Sequence, residues 1–480
     1  MKSSVVKLSI IAALAVAILA SCATTTRYYQ ELNGYIEQDE YSAAVSYLEK
    51  SKDEAYGDKN ALLYWLDKGF LLHLDGKYVD SNAAFEKAKA LSDAYFTKSI
   101  TAEASTFLIS DNMRPYYGED FERALVNVFC AVNYIKLGKE DEALVEARQV
   151  DFFLQTLQTN YGFKDQYKED AFVRYLMGMI YENKGEINDA HIEYVNAIKA
   201  YEEYSGVYGT SVPEALPKDA LRTALKLGID DDAKALEDKW HIMPADAKAM
   251  PASCGEFVLL HYNGIAPSKI DDFFEISFGK AWIYVGDIRP HGEEEEQVEQ
   301  ARAIARDIFA EEQVRMAFPK YVRSPYRIDN VTCEVNDSSG AAGVSAGGVL
   351  CENIGAIAEN NLEDRIARVR IKTIIRAAIK FALTQKIAQK VQENNNNEAL
   401  TWLVKKGLSI ASTATELADK RSWRSLPDQI RIVRLVVPAG VHDIELTFTN
   451  NSGRIISKRT IKNVVIRPGK KTFEAVRTAL

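Results

Sequence analysis

Cys22 carries the clearest chemistry in this chain. Its thiol follows Leu19-Ala20-Ser21, small residues closing a 13-residue run, Leu8–Ala20, in which only Ser9 is polar; Lys2 and Lys7 precede it. A positive start, a short apolar stretch and small residues before a cysteine form the pattern of a bacterial lipobox. The run is too short to span a bilayer comfortably, so it reads as a signal peptide. Residues 1–21 are expected to be removed, leaving Cys22 as the lipidated first residue of an exported chain. A cleaved secretory peptide with an incidental cysteine is the alternative. Ala23 lacks the aspartate that retains many enterobacterial lipoproteins at the inner membrane, which favours the outer one.

The other candidate sites have weaker chemistry. Gly343-Val344-Ser345-Ala346-Gly347 spells a nucleophile elbow, but that motif needs a strand running straight into the serine. Here Asn336–Ala342 intervenes, so a loop is expected. His291 before Glu293–Glu296 suggests a metal cluster, yet none of the six histidines has a second one helical turn away. The acidic run suits the first turn of a helix instead. Cys130 sits in an apolar helical run as a small core residue. Cys254, Cys333 and Cys351 lie outside long helices; an oxidising compartment would permit a Cys333–Cys351 disulfide. No CxxC spacing supports zinc or a redox pair. No metal or other cofactor is expected.

Two polar segments remain. Asp111–Arg123 is a candidate binding loop, with Asp111, Arg114, Glu119 and Asp120 as its polar residues and an inter-repeat structural loop as the alternative. Further on, Arg365, Arg368, Lys372, Arg376 and Lys380 recur at three- and four-residue intervals, which places them on one face of a helix. That face is either solvated or set against phospholipid head groups, peptidoglycan carboxylates or the acidic half of the chain.

The acidic half is real. The net charge of −9 combines 36 Lys/Arg against 56 Asp/Glu in residues 1–350 with 23 against 12 in residues 351–480. Halves of opposite sign attract each other, or the basic one meets an anionic surface. With a lipobox present, envelope polymers and lipids suit it better than nucleic acid.

Three segments position these residues. Gly69, Leu72, Gly76, Ser81, Phe85 and Ala88 share their spacing with Ala131, Tyr134, Gly138, Ala143, Ala147 and Val150, and with Gly178, Tyr181, Gly185, Ala190, Tyr194 and Ala197. Each reads as a helix, a turn at the middle glycine and a second helix. This resembles the tetratricopeptide repeat, and Tyr35, Tyr41, Ala44 and Leu48 look like a degenerate fourth copy. The copies are not contiguous, so an irregular α-solenoid is expected over residues 22–205.

Such arrays line their concave face with the first helix of each pair. That assigns Leu66 and Phe70, Val128 and Val132, and Tyr175 and Met179 to a groove. Helices this apolar all round are normally buried. The groove should therefore be filled, by C-terminal helices or intervening segments of the chain or by a partner's amphipathic helix.

Residues 206–254 read as a linker with one short helix around 218–227. The rest, 255–480, reads as an α+β domain. Strands are expected within 256–335 (Glu256–Tyr262, Phe274–Val285, Tyr326–Val335), with a helix at Glu293–Glu312. Helices follow over 354–419, then antiparallel strands over 430–466. The fold class is α+β: helical repeats, then a small antiparallel sheet or sandwich with a long helix.

Beyond the lipobox and repeats, Asp111–Arg123, Phe318–Tyr326 and Arg421-Ser422-Trp423-Arg424-Ser425-Leu426-Pro427 resemble segments of a conserved family of bacterial lipoproteins with tetratricopeptide repeats. The resemblance implies a periplasmic location and brings no activity with it. The expected function is that of a lipid-anchored, non-enzymatic scaffold or adaptor for another envelope protein, with service to cell-wall synthesis as its narrower form. An envelope hydrolase and a structural membrane-to-wall link are the rivals.

Overall fold

A computed structural model describes residues 27–101, 114–161, 167, 169–277, 313–335, 343–366, 369–370, 373 and 417–479. The N-terminal part is a series of helical hairpins. Helix α1 (27–37) pairs with α2 (Tyr41–Lys50), α3 (Ala61–Leu74) with α4 (Tyr78–Thr101), α5 (Asp120–Lys136) with α6 (Glu140–Tyr161), and α7 (Ala171–Lys184) with α8 (Ile187–Tyr208). The turn glycines foreseen in the three copies, Gly76, Gly138 and Gly185, all adopt positive φ (73°, 70° and 89°). A Cβ is disfavoured there, so glycine ends each first helix cheaply.

Residues 206–254, expected to be mostly linker, carry a further hairpin: α9 (Ala215–Leu227) and α10 (Asp230–Trp240). Buried Leu216, Ala220, Leu221 and Ala224 lie one or more turns apart on α9, giving an apolar stripe that packs on α8. Pro217 falls in the first turn of α9, where a proline is tolerated, so it does not break the helix.

The β-rich part has a central sheet ordered β10-β1-β7-β6 and an outer sheet ordered β5-β4-β8-β9, beside a two-stranded β2–β3 ribbon. The strands are β1 (Cys254–Asn263), β2 (Ser268–Ser277), β3 (Gln313–Val322), β4 (Asn330–Val335), β5 (Val344–Gly347), β6 (Val349–Glu352), β7 (Gln429–Pro438), β8 (Gly440–Thr449), β9 (Ile455–Ile466) and β10 (Lys471–Thr478). Helix α11 (354–366) follows β6. Among the described residues every strand pairing is antiparallel except β1 with β10.

Strand β1 explains the architecture. All of its residues after Cys254 are buried, because both faces of the central sheet are covered. Phe257 and Leu259 join Val433, Leu435 and Val437 against Val331, Cys333, Ile444, Leu446 and Phe448 of the outer sheet. The alternate residues Val258, Leu260 and Tyr262, with Ile430, Ile432 and Phe473, enter one core with the helical hairpins. A strand covered on both sides reads as a continuous apolar run.

The structure differs from the sequence reading at several elements. The Ser/Gly/Ala-rich stretch around Ser345 is not all loop: Val344–Gly347 is a strand paired with β4, and Gly348 turns the chain into β6 of the other sheet. Strands β3 and β10 were not foreseen, and the strand expected at Phe274–Val285 starts earlier, at Ser268. The strand expected over Tyr326–Val335 begins only at Asn330. The helix from Ile354 is present as far as 366. Of the helices expected beyond it, 369–370 and 373 are helical and 417–419 are irregular; the rest, the helix expected at 293–312, His291 and Cys22 lie outside the described residues. Among the described residues no helix is long and apolar enough to cross a membrane.

Candidate interaction groove

The six residues assigned to a groove are all buried in the core shared by the helical hairpins. Leu66 and Phe70 lie on α3, Val128 and Val132 on α5, and Tyr175 and Met179 on α7, and none is more than 2% exposed. Among the described residues, strands and one irregular segment of the chain enter the same core. Tyr262 of β1 brings its ring 6.1 Å from Phe70 and 5.7 Å from Phe129. From the segment before β7, Trp423 packs edge-on against Phe70 (6.2 Å), Phe85 (5.9 Å) and Phe129 (5.9 Å).

Polar contacts fix how Trp423 sits. Its backbone N–H donates to Glu122 Oε1 at 2.5 Å, and its indole N–H donates to Ser425 Oγ at 2.9 Å. Ser425 in turn donates to Asp67 Oδ1 at 2.6 Å, while Tyr29 and Tyr56 donate to Asp67 Oδ2 at 3.0 and 2.6 Å. An indole burying roughly 200 Å², at about 25 cal/mol per Å², contributes about 5 kcal/mol. Each hydrogen bond contributes about 1 kcal/mol. The ring is the anchor and the bonds set its pose.

Both carboxyls are perturbed. Burial pushes Asp67 up against the lowering effect of Ser425 and the two tyrosines. Burial and the neighbouring charge of Glu119 push Glu122 up to about 7. Glu122 also accepts from Tyr116 Oη at 2.6 Å and from the Glu119 N–H at 3.1 Å, completing a capping box at the start of α5.

The described part of the polar segment, 114–123, meets the stretch that carries Trp423. Asp111 lies outside the described residues. Arg114 offers its backbone carbonyl to Arg421 Nη1 at 2.7 Å. Glu119 pairs with Lys269 of β2 and approaches Arg365 at 4.0 Å, and Asp120 pairs closely with Arg365. Arg421 is also held by Asp419, at 2.8 and 2.6 Å, and lies over the Tyr116 ring. The expected binding loop is thus engaged by the rest of the chain. Arg365 of the basic helix faces these acids, while Arg368, Lys372, Arg376 and Lys380 lie outside the described residues.

Sequence reasoning missed a second polar cluster. Arg434 on β7 donates Nε to Glu256 of β1 at 2.6 Å and Nη1 to Tyr175 Oη at 2.6 Å, and pairs with Asp219 of α9. Arg222 bridges Asp219 (2.6 Å) and Glu182 (2.7 Å), and Lys471 of β10 joins Glu182 (3.1 Å) to Glu256. Burial alone would raise Asp219 and Glu256. The charges of Arg434 with Arg222, and of Arg434 with Lys471, outweigh it and hold both carboxyls below their ordinary range. The signal was a charge inside an apolar strand, Arg434 within Gln429–Pro438 and Glu256 within Cys254–Asn263.

A buried imidazole registers β1 on the repeats. Asn133 donates to Ser81 Oγ (2.9 Å) and Asn82 Oδ1 (2.7 Å), so its Oδ1 accepts from His73 Nδ1 at 2.6 Å. His73 Nε2 then accepts from Tyr262 Oη at 3.1 Å. Burial lowers His73 to about 4, so it is neutral in this role.

Cys130, Cys254, Cys333 and Cys351 carry free thiols. No Cys333–Cys351 bond forms: Cys333 sits in the sandwich core and Cys351 in the core shared with the helices. Burial pushes both thiols up to about 12. Glu86, Cys130 and Glu146 converge, but Lys89 bonds both carboxylates, at 2.8 and 2.6 Å. Ser345 lies inside edge strand β5 opposite Glu334, without the strand-to-helix elbow.

No family model matches the chain, and no curated protein does either. Solved structures do. BtubC (BKLC) from P. vanneervenii is 15% identical over 47% of this chain and 88% of its own, with a TM-score of 0.29. Two crystal structures of a candidate kinesin light chain of Podosopora anserina, with nearly identical TPR-like repeats, are 14% and 13% identical over 45% of this chain and 92% of theirs (TM-scores 0.29 and 0.28).

Proposed function

We propose that this protein is a lipid-anchored scaffold or adaptor on the periplasmic side of a bacterial membrane, the outer one favoured. It binds another envelope protein through its helical repeats and performs no catalysis. The observation that carries the reading is Leu19-Ala20-Ser21-Cys22, five residues ahead of Arg27, where the described part of the first hairpin starts. Only Ala23–Thr26 intervene, so a lipid on Cys22 would keep that hairpin within about 18 Å of the bilayer. Helical hairpins in series make extended surfaces suited to protein partners. Service to cell-wall synthesis is the narrower form of this reading, with peptidoglycan or anionic lipid as a secondary contact. Four of the basic C-terminal residues have another use: Arg365, Arg434, Arg459 and Lys471 pair with acids of the helical hairpins.

Metabolic labelling with a palmitate analogue tests the anchor. Wild-type protein should take up label and Cys22→Ser should not; an unlabelled wild type overturns the assignment. Crosslinking in intact cells tests the scaffold, and recovery of no envelope protein would contradict it.

A further inference from the structure

We infer that the groove of the repeats is a peptide-recognition site held shut by residues 421–427. Its partner is a protein segment carrying an aromatic side chain with a hydroxyl two residues further on. The inference rests on the scaffold reading and supplies the chemistry of its partner.

The way residues 421–427 are held is that of a bound ligand. They form neither helix nor strand: 421–423 is irregular and 424–426 is a turn. One ring, Trp423, fills a pocket walled by Phe70, Phe85 and Phe129, and around it lie a few directed bonds. A central aromatic anchor with a small polar surround is how protein interfaces concentrate their recognition. No strand ladder runs through Arg421–Ser425; the ties of the segment to the sheet region are Lys269 Nζ of β2 on the Arg421 carbonyl, at 3.2 Å, and the Ala266 N–H on the Leu426 carbonyl, at 2.9 Å.

The groove wall is also chemically specific. Asp67 on α3 and Glu122 on α5 are fully buried carboxyls whose partners are donors: Ser425 Oγ and the Trp423 N–H from the inserted segment, and tyrosine hydroxyls beside them. Packing alone would be served as well or better by apolar residues of similar size, since buried acids cost desolvation. Acceptors at these two points select a chain that offers a backbone N–H at the aromatic residue and a hydroxyl two positions on. The Trp423-Arg424-Ser425 sequence meets both demands in cis. A segment with the same two features meets them in trans, with an apparent affinity reduced by the fraction of time the cis segment is in place.

A fluorescein-labelled peptide of residues 419–428, Asp-Lys-Arg-Ser-Trp-Arg-Ser-Leu-Pro-Asp, tests this by anisotropy against the full chain. Trp423→Ala empties the pocket and should bind the peptide saturably, at least ten-fold tighter than wild type. Replacing the peptide's own tryptophan by alanine should weaken binding ten-fold or more. Trp423→Leu, which fills the pocket in part, serves if the alanine variant does not fold; if neither folds alone, the peptide should restore the helical circular dichroism. A folded variant that binds no peptide, or an unfolded one that the peptide leaves unfolded, makes the segment ordinary core and overturns the proposal. Peptide binding with no crosslinked partner in cells would instead count against the scaffold reading.

Discussion

Gly178 of α7 faces Tyr194 of α8 so closely that a Cβ on the glycine would lie 2.4 Å from the ring. Gly69 faces Phe85 in the same way, at 2.5 Å. In the hairpin between them the equivalent residues are Ala131 and Ala147, both fully buried. Where the first helix carries an alanine, the second carries no ring. The repeated spacing is a size-matched contact that sets how closely paired helices approach.

Gly178→Ala should therefore destabilise the protein by about 1–3 kcal/mol, the usual cost of overpacking. The Tyr194 ring cannot swing away freely, because its hydroxyl donates to Glu182 at 2.8 Å. Urea unfolding of Gly178→Ala, Tyr194→Ala and the double variant checks this. The double variant should be more stable than the sum of the two losses implies, by about 1 kcal/mol; strict additivity would mean the contact is slack.

Arg434→Met removes the cation between Asp219 and Glu256 and leaves two buried carboxylates short of a partner. The expected loss is about 3–5 kcal/mol at neutral pH. Both carboxyls are held low in the folded chain, so their contribution is present above the unfolded values and lost as pH falls through the folded ones. The deficit of the variant should accordingly shrink below about pH 4, the unfolded range of such groups. Thermal unfolding between pH 3 and 7 reads it.

Glu122 works in the opposite direction. Its carboxyl is pushed up to about 7, so the folded state binds the proton more tightly than the unfolded chain. Its contribution is complete below the unfolded value near 4.5 and declines as pH rises through about 7. Glu122→Gln should gain on wild type across that window by up to about 3 kcal/mol. A difference between the two chains that does not change from pH 4.5 to 7 would place Glu122 in its ionised form throughout.

Much of this fold is written locally. The turn glycines, the apolar stripes and the strands β7, β8 and β9 are periodic or punctuated, and they appear where the sequence places them. The groove residues were legible because helices apolar on every side must be covered. What covers them was not: β1 shows a continuous apolar run whether a sheet or a helix lies on either face, and the parallel β1–β10 pair joins residues some 215 positions apart, as in the Asn263–Thr478 bond. The Arg434 cluster was hidden for the same reason, since its charges come from α7, α9, β1, β7 and β10 and meet only after folding. The polar loop was recognised as polar, but its counter-charges Lys269 and Arg365, and Arg421 on its backbone, are supplied from far along the chain.

The first helices of the repeats and one face of the central sheet form a single core. Phe70 is its midpoint, touching Phe129, Tyr262 and Trp423. Thermal unfolding of full-length Phe70→Asp, followed at once by helical circular dichroism and by tryptophan fluorescence, tests the claim most directly. Both signals should be lost together, at a much lower temperature or already at 25 °C, because an unpaired carboxylate would be buried against three rings. A variant that melts as wild type does, with Trp423 emission unchanged, would contradict it.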